Sequence, residues 1–281
     1  MMYYRDQFMP ESDVRISPDD RGYYFGDGIY EVFRIYNGQL FEKELHYKRL
    51  IRTAEQVRIE LPYPIEEINS ILEQLVRETN TMLGTLYVQI TRGEAPRIHP
   101  FPDKSTKPVM MAYCRDADRP LAAMENGITA VTADDIRWLR CDLKTLNLLG
   151  NVMLKQSALD KGADEVILHR NGTVTECSAS NVMMVKNNKV FTHPADNLIL
   201  HGVTRAVVLK LAAQTGIEFA ERAFQVHDLY NADEVFSTGT TGEVMPIVQV
   251  DKRTIGDGVS GPITRKLQML FTQHIERGSN K

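Results

Sequence analysis

One lysine stands in an apolar stretch just ahead of a predicted helix: Trp138-Leu139-Arg140-Cys141-Asp142-Leu143-Lys144-Thr145-Leu146-Asn147-Leu148-Leu149-Gly150. Burial disfavours an ammonium, and the neutral amine is the form that attacks an aldehyde. A lysine snorkelling at a helix start would read the same way. A carboxylate, Glu176, closes a predicted strand within Thr173-Val174-Thr175-Glu176-Cys177-Ser178-Ala179-Ser180-Asn181-Val182. There it suits the protonated nitrogen of a heterocycle, or simply a solvated hairpin. Gly202-Val203-Thr204-Arg205 and Ser237-Thr238-Gly239-Thr240-Thr241-Gly242 are small, hydroxyl-rich turns. The first opens a helix, whose free N–H groups and dipole suit a phosphate, as they would an ordinary N-cap. Arg97-Ile98-His99 lies in a loop with prolines at 96, 100, 102 and 108. In an extended segment the side chains at i and i+2 point the same way, so both donors can close on one carboxylate. Solvent-facing loop residues are the plainer alternative.

Other chemistries find no support. Gly26-Asp27-Gly28 is followed by Glu31 where a dinucleotide fingerprint needs glycine, and no P-loop or GxSxG occurs. The seven histidines show no HExxH spacing. Cys114, Cys141 and Cys177 show no CxxC spacing, so neither a metal site nor a disulfide framework is expected. The balance of 33 Lys plus Arg against 37 Asp plus Glu leaves a net charge of −4, which gives nucleic acid or an anionic membrane no electrostatic handle. No apolar run approaches a membrane span, and Met1-Met2-Tyr3-Tyr4-Arg5-Asp6 lacks a signal-peptide core, so the expected setting is the cytoplasm. Together, a Schiff-base lysine, a carboxylate for a ring nitrogen, phosphate turns and a carboxylate trap are the parts that pyridoxal phosphate needs.

The elements that must position these groups read as α+β. Glu31 to Tyr36 alternates as a strand into the turn Asn37-Gly38. Glu42 to Val57 and the stretch after Pro64 have helical periodicity. Thr85 to Thr91 and Val109 to Cys114 read as core strands. Arg115 to Pro120 is the best linker, dividing an N-terminal α+β domain (1–117) from a C-terminal domain (118–281) that carries the lysine. Beyond it, the pattern predicts a strand over Gly127 to Ala133 and a helix from Asn147 to Lys161 closed by Gly162. Strands follow around Val166–His169, Val174, Val182–Val185, Val190–Phe191 and Glu234–Ser237, with turns at Asn171-Gly172 and Asn187-Asn188. Helices are predicted over Gly202–Gln214 and Pro262–His274.

Four stretches resemble the fold-type IV pyridoxal-phosphate enzymes, and most closely the bacterial D-amino-acid aminotransferases. They are Asp20 to Glu31, Thr91 to His99, Ile136 to Gly150 and Thr173 to Asn181, with Ile136 to Lys144 the most specific. The resemblance implies a two-domain fold with a smaller N-terminal and a larger C-terminal domain. It implies that Lys144 carries pyridoxal 5′-phosphate as a Schiff base and shuttles the substrate proton, with Glu176 on the pyridine nitrogen. Arg49, in His46-Tyr47-Lys48-Arg49-Leu50, would bind the phosphate together with Val203, Thr204 and Thr240, and Leu200 would pack on the ring. Tyr30, Arg97 and His99 would hold the substrate carboxylate, the last two reaching across from a partner subunit in a homodimer with shared active sites. The implied reaction is transamination between D-alanine, D-glutamate or D-aspartate and 2-oxoglutarate or pyruvate. Two positions depart from the pattern, Ala179 and Gly239, where the relatives carry serines that help hold the cofactor. Rivals on the same fold are a branched-chain L-amino-acid aminotransferase and an aminodeoxychorismate lyase; a cofactor-binding protein without turnover is a rival of another class.

Overall fold

A computed structural model describes residues 1–278, and the chain divides into two units. The first comprises Met1–Asp118 with Leu143–Leu148, the second Arg119–Asp142 with the chain from Leu149 onward. This departs from the expected division in two ways. The boundary lies one residue later, because the strand ahead of it continues through the charged stretch: Asp116 pairs with Gly84, and Ala117 N–H donates to the Leu83 carbonyl at 3.2 Å. The lysine segment also belongs to the first unit rather than to the C-terminal domain. Residues 279–281 of the expected second domain lie outside the described residues.

In the first unit, β1 (Met2–Tyr4), β2 (Gln7–Met9), β3 (Gly28–Tyr36), β4 (Gln39–Leu40), β5 (Leu83–Thr91) and β6 (Val109–Asp116) form one antiparallel sheet in the order β2-β1-β6-β5-β3-β4. Asn37 and Gly38 join β3 to β4 with φ of 50° and 72°, as a type I′ turn requires. The short helix α1 (Arg21–Phe25) is capped by Asp20, whose carboxylate accepts from Gly22 N–H. The amphipathic helices α2 (Lys43–Val57) and α3 (Ile65–Thr79) bury Leu50, Ala54, Ile68, Leu72 and Leu75 against Ile29, Phe33, Ile35, Leu86, Val88 and Ile90 of the sheet. The strand period of two therefore sends Tyr30 to the face opposite Ile29, Glu31 and Phe33.

The second unit is built on a mixed sheet. Its elements are α4 (Leu121–Asn126), β7 (Ile128–Asp134), α5 (Leu149–Asp160), β8 (Glu165–Arg170), β9 (Thr173–Cys177), β10 (Asn181–Lys186), β11 (Lys189–Thr192), α6 (Val203–Gln214), β12 (Phe219–Glu221), α7 (Val226–Tyr230), β13 (Glu234–Gly239), β14 (Glu243–Val250), β15 (Arg253–Thr254) and α8 (Pro262–Gly278). The strand order is β12-β11-β10-β13-β14-β7-β8-β9, with β15 paired to β14. Helix α5 starts at Leu149, two residues after the expected Asn147, because the chain up to Leu148 belongs to the first unit. Strand β14 is not among the expected elements. Pro246 argues against a strand there, yet Pro246 pairs with Phe236 of β13, and the register on the other side shifts between Ile247 and Gln249. Buried Glu234 caps α8 by accepting from Ile263 N–H (2.9 Å), Thr264 N–H (2.7 Å) and Thr264 Oγ1 (2.6 Å).

A charged cluster is built into the apolar face of the first unit. Glu31 is fully buried and accepts from Arg49 Nε and Nη2, each at 2.8 Å, and from His46 Nδ1 at 2.7 Å. Burial pushes this carboxyl up, but the Arg49 guanidinium and His46 outweigh it and hold the group well below the usual carboxylate range. His46 is driven down by burial, so it donates as a neutral imidazole. Removing the carboxylate strands a buried guanidinium. Glu31→Ala is therefore expected to cost about 3–5 kcal/mol in chemical denaturation at pH 7. Because Glu31 favours folding while ionised, that difference should shrink as pH falls through the ordinary glutamate range toward its lowered folded value. A loss below about 1 kcal/mol, or one independent of pH, would count against this account.

Candidate active site

Lys144 is placed by main-chain pairing. Tyr30 N–H donates to the Lys144 carbonyl at 3.1 Å, Leu146 N–H donates to the Gly28 carbonyl at 3.0 Å, and Ile29 and Thr145 form an antiparallel bridge. Asn147 Nδ2 adds a bond to the Gly26 carbonyl at 3.1 Å. A Cβ on Gly28 would meet Leu146 Cδ1 at 2.6 Å, so the close approach depends on glycine. The half-buried Lys144 extends its Nζ over the Tyr30 ring, 4.1 Å from the centroid. Tyr30 stacks on Tyr87 (5.6 Å), and Tyr87 on Tyr113 (5.3 Å), so the ring beneath the amine is held by a row of aromatics. Arg49, expected at a phosphate, directs Nε and Nη2 to Glu31, the residue after Tyr30.

Arg97 and His99 gather about Phe25. The Arg97 guanidinium lies 5.3 Å from the Phe25 centroid and the His99 ring 5.6 Å from it. The segment bends at both residues rather than running extended, so the shared ring beneath them brings the two side chains together. Both are exposed.

In the second unit Glu176 lies near the end of β9 and is buried. Its Oε1 accepts from Arg137 Nη1 at 2.7 Å; its Oε2 accepts from Asn181 Nδ2 at 2.9 Å and from Leu200 N–H at 3.0 Å. Arg137 is itself anchored by Asp135, with Nε to Oδ1 and Nη2 to Oδ2 both at 2.9 Å. Burial pushes the Glu176 carboxyl up to about 7, and Arg137 and the Leu200 N–H restrain it. Asn181 Nδ2 also donates to the Leu200 carbonyl at 2.9 Å, tying Glu176 to the segment that leads into α6. That helix opens on Gly202 without a side-chain cap, and a Cβ there would meet Asn181 Oδ1 at 2.1 Å. Val203 and Thr204 form its first turn and are buried. Near the end of β13, where Thr238 pairs with Asn181, Thr238 Oγ1 is buried with no hydrogen-bond partner, two residues before Thr240. Beside Gly239, Ser180 Cβ lies 3.1 Å from where a residue-239 Cβ would stand, so a hydroxyl-bearing side chain borders that position.

Lys144 and Tyr30 thus meet in the first unit, with Arg49 on the other face of β3 bound to Glu31, and Arg97 and His99 about Phe25; Glu176, Leu200, Val203, Thr204 and the Thr240 turn lie in the second. Sequence reasoning missed Glu31, His46, Asp135, Arg137 and Asn181 as members of these networks. His46 and Arg49 were the available signal: three apart on a helix, they face the same way.

The family model described as amino-transferase class IV matches residues 28–250. A D-alanine aminotransferase of Staphylococcus haemolyticus is 45% identical over 279 residues, covering 99% of this chain and 99% of that protein. Among solved structures, the branched-chain amino acid aminotransferase of Escherichia coli superposes with a TM-score of 0.92 at 25% identity, covering 97% of this chain and 93% of that one. A second branched-chain amino acid aminotransferase, from T.th. and with pyridoxamine 5′-phosphate, has a TM-score of 0.91 at 25% identity, with coverage of 98% and 93%. The family match spans most of the sequence and includes both Lys144 and Glu176, and the chain belongs to amino-transferase class IV.

Proposed function

We propose that this chain transfers amino groups between D-amino acids (D-alanine, D-glutamate and D-aspartate) and the 2-keto acids 2-oxoglutarate and pyruvate, using pyridoxal 5′-phosphate. The observation that carries this reading is the 45% identity to a D-alanine aminotransferase over 99% of both chains. The branched-chain reading draws on closely superposing structures, but at 25% identity. An aminodeoxychorismate lyase has no need of the Arg97-Ile98-His99 trap.

The residues present fit the cofactor. An unpartnered buried hydroxyl on Thr238, an uncapped helix start at Gly202 and a buried carboxylate at Glu176 suit an anionic group joined to a basic heterocycle. Lys144 would hold the cofactor; Glu176 would face the ring nitrogen; Val203, Thr204, Thr240 and Arg49 would bind the phosphate; Leu200 would pack on the ring. When bound, pyridoxal phosphate supplies an aldehyde for the amino group and a ring that takes up the electrons left when the Cα proton departs. The rest falls to the side chains. Lys144 Nζ would take the proton from Cα and deliver it to the cofactor's aldehyde carbon on the other side of the shared nitrogen, with Tyr30 beneath it limiting where the amine can reach. Arg137 and Asn181 keep the Glu176 carboxylate aimed and hydrogen-bonded. Tyr30, Arg97 and His99 fix the substrate carboxylate. With that group clamped, only one enantiomer turns its Cα–H toward Lys144, and the L form would leave the cationic trap against an apolar group.

A homodimer completes this reading, with Arg97 and His99 serving the partner's site. Leu149, Val152 and Met153 share one exposed side of α5, and the exposed Ile136, Trp138 and Leu139 lie on the neighbouring loop, where Arg137 abuts Gly150. An apolar patch of this kind suits a second copy of the chain. The cytoplasm is the proposed setting; no helix of the described residues is long and apolar enough to cross a membrane.

Three measurements test the proposal. D-alanine with 2-oxoglutarate should be turned over with a kcat/KM at least about a hundredfold above that of L-alanine or L-leucine, and Lys144→Ala should abolish the activity by at least about a thousandfold. Faster turnover of L-leucine than of D-alanine would replace this reading with the branched-chain one. Mixing Lys144→Ala subunits with Arg97→Ala, His99→Ala subunits should restore activity, since one of the two sites in each heterodimer then holds an intact lysine and an intact trap; a heterodimer that stays inactive puts both in one chain. In cofactor-stripped protein, the buried Glu176 favours folding while protonated and loses that contribution as pH rises from about 4.5 to about 7. The stability of Glu176→Gln relative to the parent should therefore climb by roughly 3 kcal/mol between pH 5 and 8. A difference that stays flat across that range would show that Glu176 does not titrate there.

A further inference from the structure

Asp27 Oδ2 accepts from two guanidinium groups at once, Arg21 Nε and Arg92 Nε, each at 2.8 Å. Both arginines are buried. From this shared carboxylate each reaches a different part of the backbone. Arg21 Nη1 donates to the Ile98 carbonyl at 2.7 Å, and its Nη2 lies 3.5 Å from the His99 carbonyl. Arg92 Nη1 and Nη2 donate to the carbonyls of Arg58 (2.6 Å) and Val57 (2.9 Å) at the end of α2, and its plane packs 3.8 Å from the Phe101 centroid. Arg21 also lies over Phe25, the ring that Arg97 and His99 share. The base of the same loop is fixed by backbone bonds: Arg21 N–H to the Gly93 carbonyl at 2.9 Å and Ala95 N–H to the Asp19 carbonyl at 3.1 Å. At Gly93, φ is 105° and a Cβ would meet the Lys107 carbonyl at 2.1 Å, so the two ends of the loop close on a glycine.

Burying two guanidinium groups around a mostly covered carboxylate costs desolvation that apolar residues would avoid. What the charges add is direction. They grip the main chain at residues 98 and 99, and so set where the flanking side chains emerge, which apolar packing under an exposed Pro-rich loop would not do. We propose that Arg21, Asp27 and Arg92 are positioning residues that fix the spacing of Arg97 and His99 for a substrate carboxylate. The proposal rests on the reading of Arg97 and His99 as carboxylate ligands. A displacement of about 1 Å at such a pair costs on the order of a hundredfold, so partial loosening is expected to cost about tenfold.

The test uses the holoenzyme with Asp27→Asn, which keeps the shape but not the anion, and Arg21→Lys, which keeps the charge but cannot span Asp27 and Ile98. Both should lower kcat/KM for D-alanine about tenfold, with the loss carried by KM, and should speed hydrogen exchange of the loop amides at 97, 98, 99 and 101 while those of β3 and β5 keep their protection. If Arg21→Lys does not fold, Asp27→Asn decides alone. Arg97→Ala is run beside them. If Arg97→Ala raises KM while the clamp variants leave both KM and loop exchange at the parent values, the clamp is overturned. A raised KM without faster loop exchange overturns it too. A normal KM in Arg97→Ala removes the trap reading itself, whatever the loop exchange shows.

Discussion

Backbone pairing between Leu143–Leu148 and the first residues of β3 is the constraint from which the site follows. It fixes Lys144 through main-chain bonds to Tyr30 and Gly28, so the amine's position owes little to its own side-chain contacts. Once β3 is in place, alternation does the rest. Tyr30 turns one way, beneath the lysine and against Tyr87, while Glu31 turns the other way, toward Arg49 and His46. One strand thus serves Lys144 on one face and the helix α2 on the other.

A carboxylate largely covered by the fold and acting as a hub recurs in both units. Glu31 gathers Arg49 and His46; Asp27 gathers Arg21 and Arg92; Asp135 and Glu176 share Arg137. Such groups are poor sources of stability, since desolvation consumes much of the Coulombic gain. Their use lies in direction: each arginine has a planar fork that binds a carboxylate at one edge and leaves other N–H groups for backbone or neighbouring acids. Glu31 and Glu176 each accept three hydrogen bonds, so their opposite shifts turn on charge: Arg49 gives Glu31 two of its three, whereas Arg137 gives Glu176 one and is shared with Asp135, which pushes Glu176 up. Both are buried, but the first has Arg49 and His46 to overcome the cost and the second is only partly offset by Arg137.

Much of this was readable in advance, for local reasons. The turns at Asn37-Gly38 and Asn171-Gly172 have the positive φ values that asparagine and glycine accept, and helices α2 and α3 follow their apolar periodicity. What escaped is non-local. Strand β14 hid behind Pro246, which a neighbouring register shift accommodates. Nothing in Leu143–Leu148 signals that it pairs with residues more than a hundred positions earlier, so sequence reasoning puts the lysine in the wrong unit. Arg97 and His99 stand out by an i, i+2 argument for extended chain, whereas the structure bends at both and gathers them on Phe25. The two side chains do come together, but by a different geometry.

The return of Leu143–Leu148 to the first unit also orders events during synthesis. Residues 1–118 carry the whole antiparallel sheet and its two packed helices, yet they lack the segment that completes the edge of β3 near Gly28. A nascent chain halted at the unit boundary would hold its core while leaving Gly28 and Tyr30 without their main-chain partners. Lys144 is synthesised only after every strand of the surface that receives it, so the residues of the scaffold precede the segment that docks on them.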